Sequence, residues 1–258
     1  MAAASDITLS VVIPAYKEQE RIGSNLTEII DHLGQKDFNY EIIVVIDGSH
    51  DDTAQVIQGF ITKAQDLRII ENAQNKGKGF VIRQGLMEAR GKYHVFLDAD
   101  GSTSITHIDK ALQSIIDGAD FVVGSRDISG ATLAKRQPRH REIMGTMGNL
   151  AIRGMLGLWQ FPDTQCGFKV LRSEVTKDIV PRMHVDRFAY DFELIVLAKK
   201  RGYKIVQMPV RWEHEEGTTV GGLFGPNGFV QVLIDLVKTR MRLWGGVYKL
   251  SDDKGVIK

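Results

Sequence analysis

The sequence predicts an α/β fold, a mostly parallel sheet with helices on both faces. Two observations predict it. Short apolar runs alternate with segments of helical periodicity through the first half of the chain, the pattern of strand–helix–strand units. Three of those apolar runs end in polar loops, at Pro14–Glu18, Asp47–Asp52 and Asp98–Asp100. Ligands of such sheets bind beyond the carboxyl ends of the strands, so these loops gather on the edge where a site is expected.

Leu9 to Ile13 is a short apolar run ending at Pro14 and reads as a buried strand. Ile22, Leu26, Ile29, Ile30 and Leu33 recur at helical spacing, and Gly34 is a stop signal. Glu41 to Ile46 is a second buried strand, closed by Asp47, Gly48 and Ser49. Asp51 or Asp52 caps a helix expected to reach about Gln65, before a third strand from Leu67 to Ile70. A helix from about Lys78 to Ala89 leads into the fourth strand, Tyr93 to Leu97. In the less regular second half, Phe121 to Gly124 and Lys204 to Val210 read as strands. Met144 to Leu158 and Phe192 to Lys200 read as helices.

The 258 residues suit one large α/β domain with a well-buried core. A 43% apolar and 25% charged composition excludes a disordered chain. The net charge of +1 gives no bulk signal for nucleic acid, so phosphate recognition has to rest on local basic clusters. Cys166 is the only cysteine; no intrachain disulfide is possible, which fits a reducing compartment. Nothing local marks a depressed thiol pKa there, so a small buried hydrophobe is expected rather than a nucleophile. Met1 to Ser10 lacks the regions of a signal peptide, and no run of about 18 apolar residues marks a membrane span. The expectation is a cytoplasmic protein whose work at a membrane, if any, is done from its surface.

Asp98-Ala99-Asp100 follows the apolar run His94–Leu97. Two carboxylates one residue apart at a strand end can share a hard cation such as Mg²⁺ or Mn²⁺, which commonly bridges a diphosphate. The alternative is a solvated turn. Asp47 and Asp51 can accept hydrogen bonds from base or ribose donors, or serve as a turn residue and a helix cap. Asn75-Lys76-Gly77-Lys78-Gly79 joins flexible backbone to two cations before a helix and suits an anion, but lacks the Walker pattern. Arg126, Lys135, Arg136, Arg139 and Arg141 form a basic stretch, and Arg is the better fork for phosphate oxygens. The alternative there is a solvated face. The seven histidines are scattered without a zinc pattern.

Together, Val11–Glu18, Glu41–Ser49 with Asp51 and Thr53, Asn75–Gly79 and Asp98–Gly101 resemble the family 2 glycosyltransferases of the GT-A fold, with its Rossmann-like sheet. In the second half Gly124-Ser125-Arg126, Asp163–Lys169, His184–Leu194 and Val210–Trp212 look like the dolichyl-phosphate β-glucosyltransferases. Two departures from that pattern are Thr218-Thr219, where those relatives have Ser-Lys after Glu-Gly, and Ile46, where many have a second Asp.

The resemblance implies an inverting transfer of a hexose, glucose from UDP-glucose, to a polyprenyl or dolichyl phosphate. Pro14, Tyr16, Glu18, Asp47, Asp51, Lys78 and Ala99 would frame the nucleotide sugar, with Asp98 and Asp100 holding Mg²⁺ or Mn²⁺. Arg126, Arg139, Arg141 and Arg211 would clamp the acceptor phosphate; Gln165 and Asp191 would position the sugar. Asp100, Asp191, Arg126 and Arg141 are thus the expected catalytic group. Competing readings are transfer of mannose or GlcNAc to the lipid, transfer to a saccharide hydroxyl with Asp191 as base, and a non-catalytic nucleotide-sugar binder. Residues 1–225 are expected to form the catalytic domain and 226–258 an amphipathic tail. In that tail Phe229, Val230, Leu233, Leu236, Val237, Met241 and Trp244 would form an apolar stripe beside Lys238, Arg240 and Arg242, resting on the cytoplasmic face of a membrane. The alternative is a helix packed on the core.

Overall fold

Strands β1 (Leu9–Ala15), β2 (Tyr40–Asp47), β3 (Leu67–Asn72) and β4 (Tyr93–Phe96) form the parallel half of a seven-stranded sheet. The computed structural model describes residues 7–133, 139–213 and 226–248. β5 (Phe121–Ser125), β7 (Lys169–Arg172) and β8 (Ile205–Pro209) complete the sheet in the order β3-β2-β1-β4-β7-β5-β8. β7 runs antiparallel to both β4 and β5, while β5 and β8 are parallel. A two-stranded ribbon pairs β6 (Thr132–Leu133) with β9 (Arg211–Trp212).

Every residue of β1 and β2 is buried. Successive side chains of a strand point to opposite faces, so a strand covered on both sides reads as a continuous apolar run. Val12, Ile43 and Val45 enter one core with α3 (Lys78–Glu88), α5 (Arg139–Leu156), α6 (Ser173–Ile179), α7 (Tyr190–Lys200) and α8 (Pro226–Trp244). Val11, Ile13, Ile42 and Val44 enter the other, with α1 (Ile22–Leu33), α2 (Thr53–Gln58) and α4 (Ile108–Ile116).

Boundaries shift where local chemistry overrides periodicity. β1 continues through Pro14, because the β4 ladder has already stopped at Val12–Phe96 and the missing proline N–H breaks no pairing on that side. α2 ends at Gln58, short of the expected Gln65. α5 begins at Arg139, earlier than the expected Met144. α8 is one helix, and its Val232, Leu236 and Leu243 join the same core as α5 and α7.

Candidate active site

The ends of β1, β2 and β4 open onto a cleft of about 250 Å³. Pro14, Ala15, Tyr16, Glu18, Asp47, Lys78, Asp98, Ala99 and Asp100 line it, joined by Asn75, Gly77, Val81, Arg187 and Phe188. The loop after β1 is tied to the loop after β2. The Lys17 amide donates to Ser49 Oγ at 2.8 Å and the Glu18 amide to Thr53 Oγ1 at 2.9 Å. Asp51 holds both hydroxyls in place, accepting from Ser49 Oγ at 2.5 Å and Thr53 Oγ1 at 2.8 Å. Burial opposes its charge, but those hydrogen bonds outweigh it and lower its pKa. Asp51 itself does not line the cleft; it shapes the loop that does.

Asp47 closes the neighbouring loop. Its two oxygens accept the Lys76 amide at 2.7 Å and the Gly77 amide at 2.9 Å. Gly77 has φ +107°, and a Cβ there would come within 2.4 Å of the Asp186 carbonyl oxygen. Only glycine suits that conformation at that distance. The close approach brings Arg187 and Phe188 to the cleft, more than a hundred residues along the chain from Lys78.

Lys78 Nζ donates to Asp98 Oδ1 at 2.5 Å. Burial opposes both charges, but the pair outweighs it, raising the Lys78 pKa and lowering that of Asp98. Asn25 Nδ2 braces the turn by donating to the carbonyls of Asp98 at 3.0 Å and Ala99 at 3.2 Å. Asp100 Oδ1 accepts the Ser102 amide at 3.0 Å. Burial pushes the Glu18 carboxyl up to about 7; Arg21, 2.7 Å away, pulls it down, while Asp100 and Asp98 push it up. The charges of Asp98 and Asp100 thus reach Glu18, with Arg21 paired to Glu18 and Lys78 to Asp98 as the local counter-charges. Among the described residues no group of three His, Cys, Asp or Glu is placed to hold a metal ion by itself. A pair of carboxylates open to a cleft nevertheless fits a hard cation that takes its remaining ligands from a diphosphate and water.

A second layer lies against this one. A Cβ on Gly167 would sit 2.2 Å from Asp98 Oδ2, so the 163–168 loop presses its backbone onto the metal-ligand candidate. Asp163 organises that loop. It accepts Arg126 Nε at 2.7 Å, Arg126 Nη2 at 3.0 Å and the Gln165 amide at 3.0 Å. Buried Lys169 donates to Asp191 and, at 2.5 Å, to the Cys166 carbonyl. Burial raises the Asp191 pKa against the pull of Lys169. Burial likewise pushes the Cys166 thiol up to about 11, which suits an inert small side chain.

Of the expected acceptor and sugar residues, Arg126, Gln165, Asp191 and Arg211 lie outside the cleft lining. Arg126 is engaged by Asp163 and stacked 5.5 Å from the Trp212 ring. Arg211 is exposed, 3.9 Å from the exposed Glu213. Arg139 and Arg141 stand in the first turn of α5; their side chains, like Lys135, Arg136 and Thr218-Thr219, lie outside the described residues. Asn75, Gly77, Val81, Arg187 and Phe188 were not expected to line the site. Asn75 and Gly77 lie inside the anion-binding pattern, and Arg187 and Phe188 lie inside the His184–Leu194 segment that carries the resemblance, without a role of their own there.

A family model described as "Glycosyl transferase family 2" matches residues 10–180. The chain is 32% identical to the dolichyl-phosphate beta-glucosyltransferase of Dictyostelium discoideum, over 95% of this chain and 78% of the relative. It is 31% identical to that of Saccharomyces cerevisiae, over 95% and 77%. Among solved structures, glucosyl-3-phosphoglycerate synthase from Mycobacterium tuberculosis, in complex with Mn²⁺, UDP and glucosyl-3-phosphoglycerate, superposes with a TM-score of 0.68 at 21% identity. The match covers 91% of this chain and 80% of that one. S. aureus TarS in complex with UDP-GlcNAc gives a TM-score of 0.59 at 18% identity, covering 90% and 66%. Both likenesses speak to the fold.

Proposed function

This chain belongs to glycosyl transferase family 2, and from that premise we propose that it transfers glucose from UDP-glucose to a dolichyl or polyprenyl phosphate at a membrane surface. The observation that carries the reading is the cleft where Lys78, Asp98 and Asp100 meet the loops after β1 and β2. The names of relatives matched along nearly the whole chain point to the acceptor.

Pro14, Tyr16, Glu18 and Asp47 frame the nucleoside, Asp47 by fixing the Lys76–Gly77 backbone beside it. Asp98 and Asp100 would hold Mg²⁺ or Mn²⁺, and such a cation would supply charge neutralisation for the leaving diphosphate. Lys78, already charged beside Asp98, adds a second cation on the leaving-group side. The displacement is in-line and inverts the anomeric carbon. A phosphomonoester has a second pKa of about 6 and is largely dianionic at neutral pH, so it attacks without a strong base. That suits a site whose Asp191 is buried and paired with Lys169 rather than lining the cleft. Asp191 and Gln165 then act on the sugar side through the 163–168 loop, and Arg126, Arg139, Arg141 and Arg211 receive the acceptor phosphate.

A donor-by-acceptor screen tests this, with UDP- and GDP-sugars against dolichyl phosphate and free saccharides in Mn²⁺. The expected product is a glucosylated lipid phosphate made from UDP-glucose. Turnover confined to a GDP-sugar, or to a saccharide acceptor, overturns the donor or the acceptor assignment respectively.

A further inference from the structure

Helix α8 carries two apolar faces. Val232, Leu236 and Leu243 are buried in the core. Val230, Ile234, Val237, Met241 and Trp244 form a second stripe, between 41% and 86% exposed. At about 100° per residue the two stripes lie on opposite sides of the helix, with exposed Lys238 and Arg240 flanking the outer one. α5, which packs against α8, exposes Met147, Leu150 and Met155, and Trp159 stands exposed just beyond it. Arg240 stacks on the Trp244 ring and Arg153 on the Trp159 ring.

We propose that the exposed stripes of α8 and α5 dock this protein onto an anionic lipid bilayer. An apolar face of this extent left in water marks an interaction surface. Charge selects the partner. Each of the two helices carries three Lys or Arg against one acid, in a chain whose total is only +1. Apolar residues rimmed by cations and basic-stacked tryptophans match the headgroup boundary of an anionic membrane. Both helices are also fixed relative to the cleft. Tyr248, just past α8, donates to the buried Glu193 carboxylate at 2.7 Å, and Glu193 accepts the Val185 amide at 2.9 Å, close to cleft-lining Arg187 and Phe188. Asn149 of α5 accepts from Thr164 at 3.2 Å, in the loop that presses on Asp98. A docked α8 therefore holds the cleft at a set height and tilt above the lipid. The inference rests on the proposed reaction only for the lipid nature of the acceptor.

Co-sedimentation of the full chain with phosphatidylcholine vesicles, with and without phosphatidylglycerol, tests it without donor or acceptor. The wild type is expected to prefer the anionic vesicles and to lose that preference in high salt. Val237→Glu with Met241→Glu is expected to lower partitioning more than about tenfold while UDP binding in Mn²⁺ stays unchanged. Lys238→Gln and Arg240→Gln are each expected to lower it about fivefold at low salt. In a chain with Trp159→Phe and Trp212→Phe, brominated phosphatidylcholine is expected to quench the remaining Trp244. Equal partitioning of wild type and the double glutamate variant overturns the proposal, as does an unquenched Trp244. A wild-type dimer dissolved by the same variant, with no vesicle binding by either, assigns the face to a second copy instead. Vesicle binding retained alongside a failed transfer assay would sink the reaction and leave the surface standing.

Discussion

Two lysine–carboxylate pairs sit close enough to feel each other's charge, yet they live in different worlds. Lys78 and Asp98 meet at 2.5 Å with 24% and 28% of their side chains exposed at the cleft. Lys169 and Asp191 meet in the second layer at 0% and 7%. The first pair is open to exchange: in the proposed reaction a diphosphate and its cation would compete for both members, with water to solvate whatever is displaced. In the second, a lost partner leaves a charge with no water to take its place. One pair is therefore suited to handling ligands and the other to holding the loop beneath them.

Breaking the outer layer should have the largest effect. Asp100→Ala is expected to abolish turnover, a loss on the order of a thousandfold or about 4 kcal/mol of barrier. EDTA is expected to do the same to the wild type, with recovery on adding Mn²⁺. Rates measured on the chelated enzyme check this; full activity without metal removes Asp98 and Asp100 from the role of ligands.

The inner layer should show itself in stability. Lys169→Met strands Asp191 and is expected to cost about 3–5 kcal/mol in denaturant unfolding, whereas Lys169→Met with Asp191→Leu recovers most of it. Lys78→Met is expected to cost far less stability and to weaken UDP binding instead. Similar unfolding losses for Lys78→Met and Lys169→Met would erase the distinction between the layers.

Arg126 tests the boundary between them, because its guanidinium is already forked onto Asp163. Arg126→Ala is expected to raise the apparent KM for lipid phosphate by about 1.5–3 kcal/mol equivalent, more than it raises that for the nucleotide sugar. Arg141→Ala is expected to move the same constant. Arg126→Lys should not rescue, since lysine cannot reproduce the fork. Equal rises in both constants would make Arg126 a brace for the 163–168 loop and no more.

The outer layer was largely legible because its pieces are local. A strand end followed by Asp-Ala-Asp, or a glycine pair around a lysine before a helix, states its chemistry within a few residues. The inner layer is assembled across the chain. Gly167 reaches Asp98, and Asp186 reaches Gly77, through topology alone. β7 is four residues long, begins with a lysine and runs against its neighbours, so no period announced it. The α8 pattern misled in a different way. The expected membrane stripe included Leu236, which is fully buried, and omitted Ile234, which is exposed. A helix with two apolar faces gives one dense pattern, and periodicity alone does not say which face meets the core.

The smallest effect concerns Glu18, whose carboxyl belongs to the outer layer but is half withdrawn from water. Burial raises its pKa from 4.5 to about 7. The folded chain then holds this proton more tightly than the unfolded chain does. Its contribution to stability is fully present below about pH 4.5 and is lost as pH rises through about 7. Glu18→Gln removes the titration while keeping the shape. The melting temperature of the variant, relative to wild type, is therefore expected to rise steadily between pH 5 and pH 8. His94, whose pKa burial lowers, titrates with the opposite sign but is common to both proteins and cancels in the difference. The melts belong in EDTA, because a cation between Asp98 and Asp100 would pull the Glu18 carboxyl back down. A difference that stays flat across this range would mean that water or Arg21 already satisfies the carboxylate, and that Glu18 is as open as the rest of the outer layer.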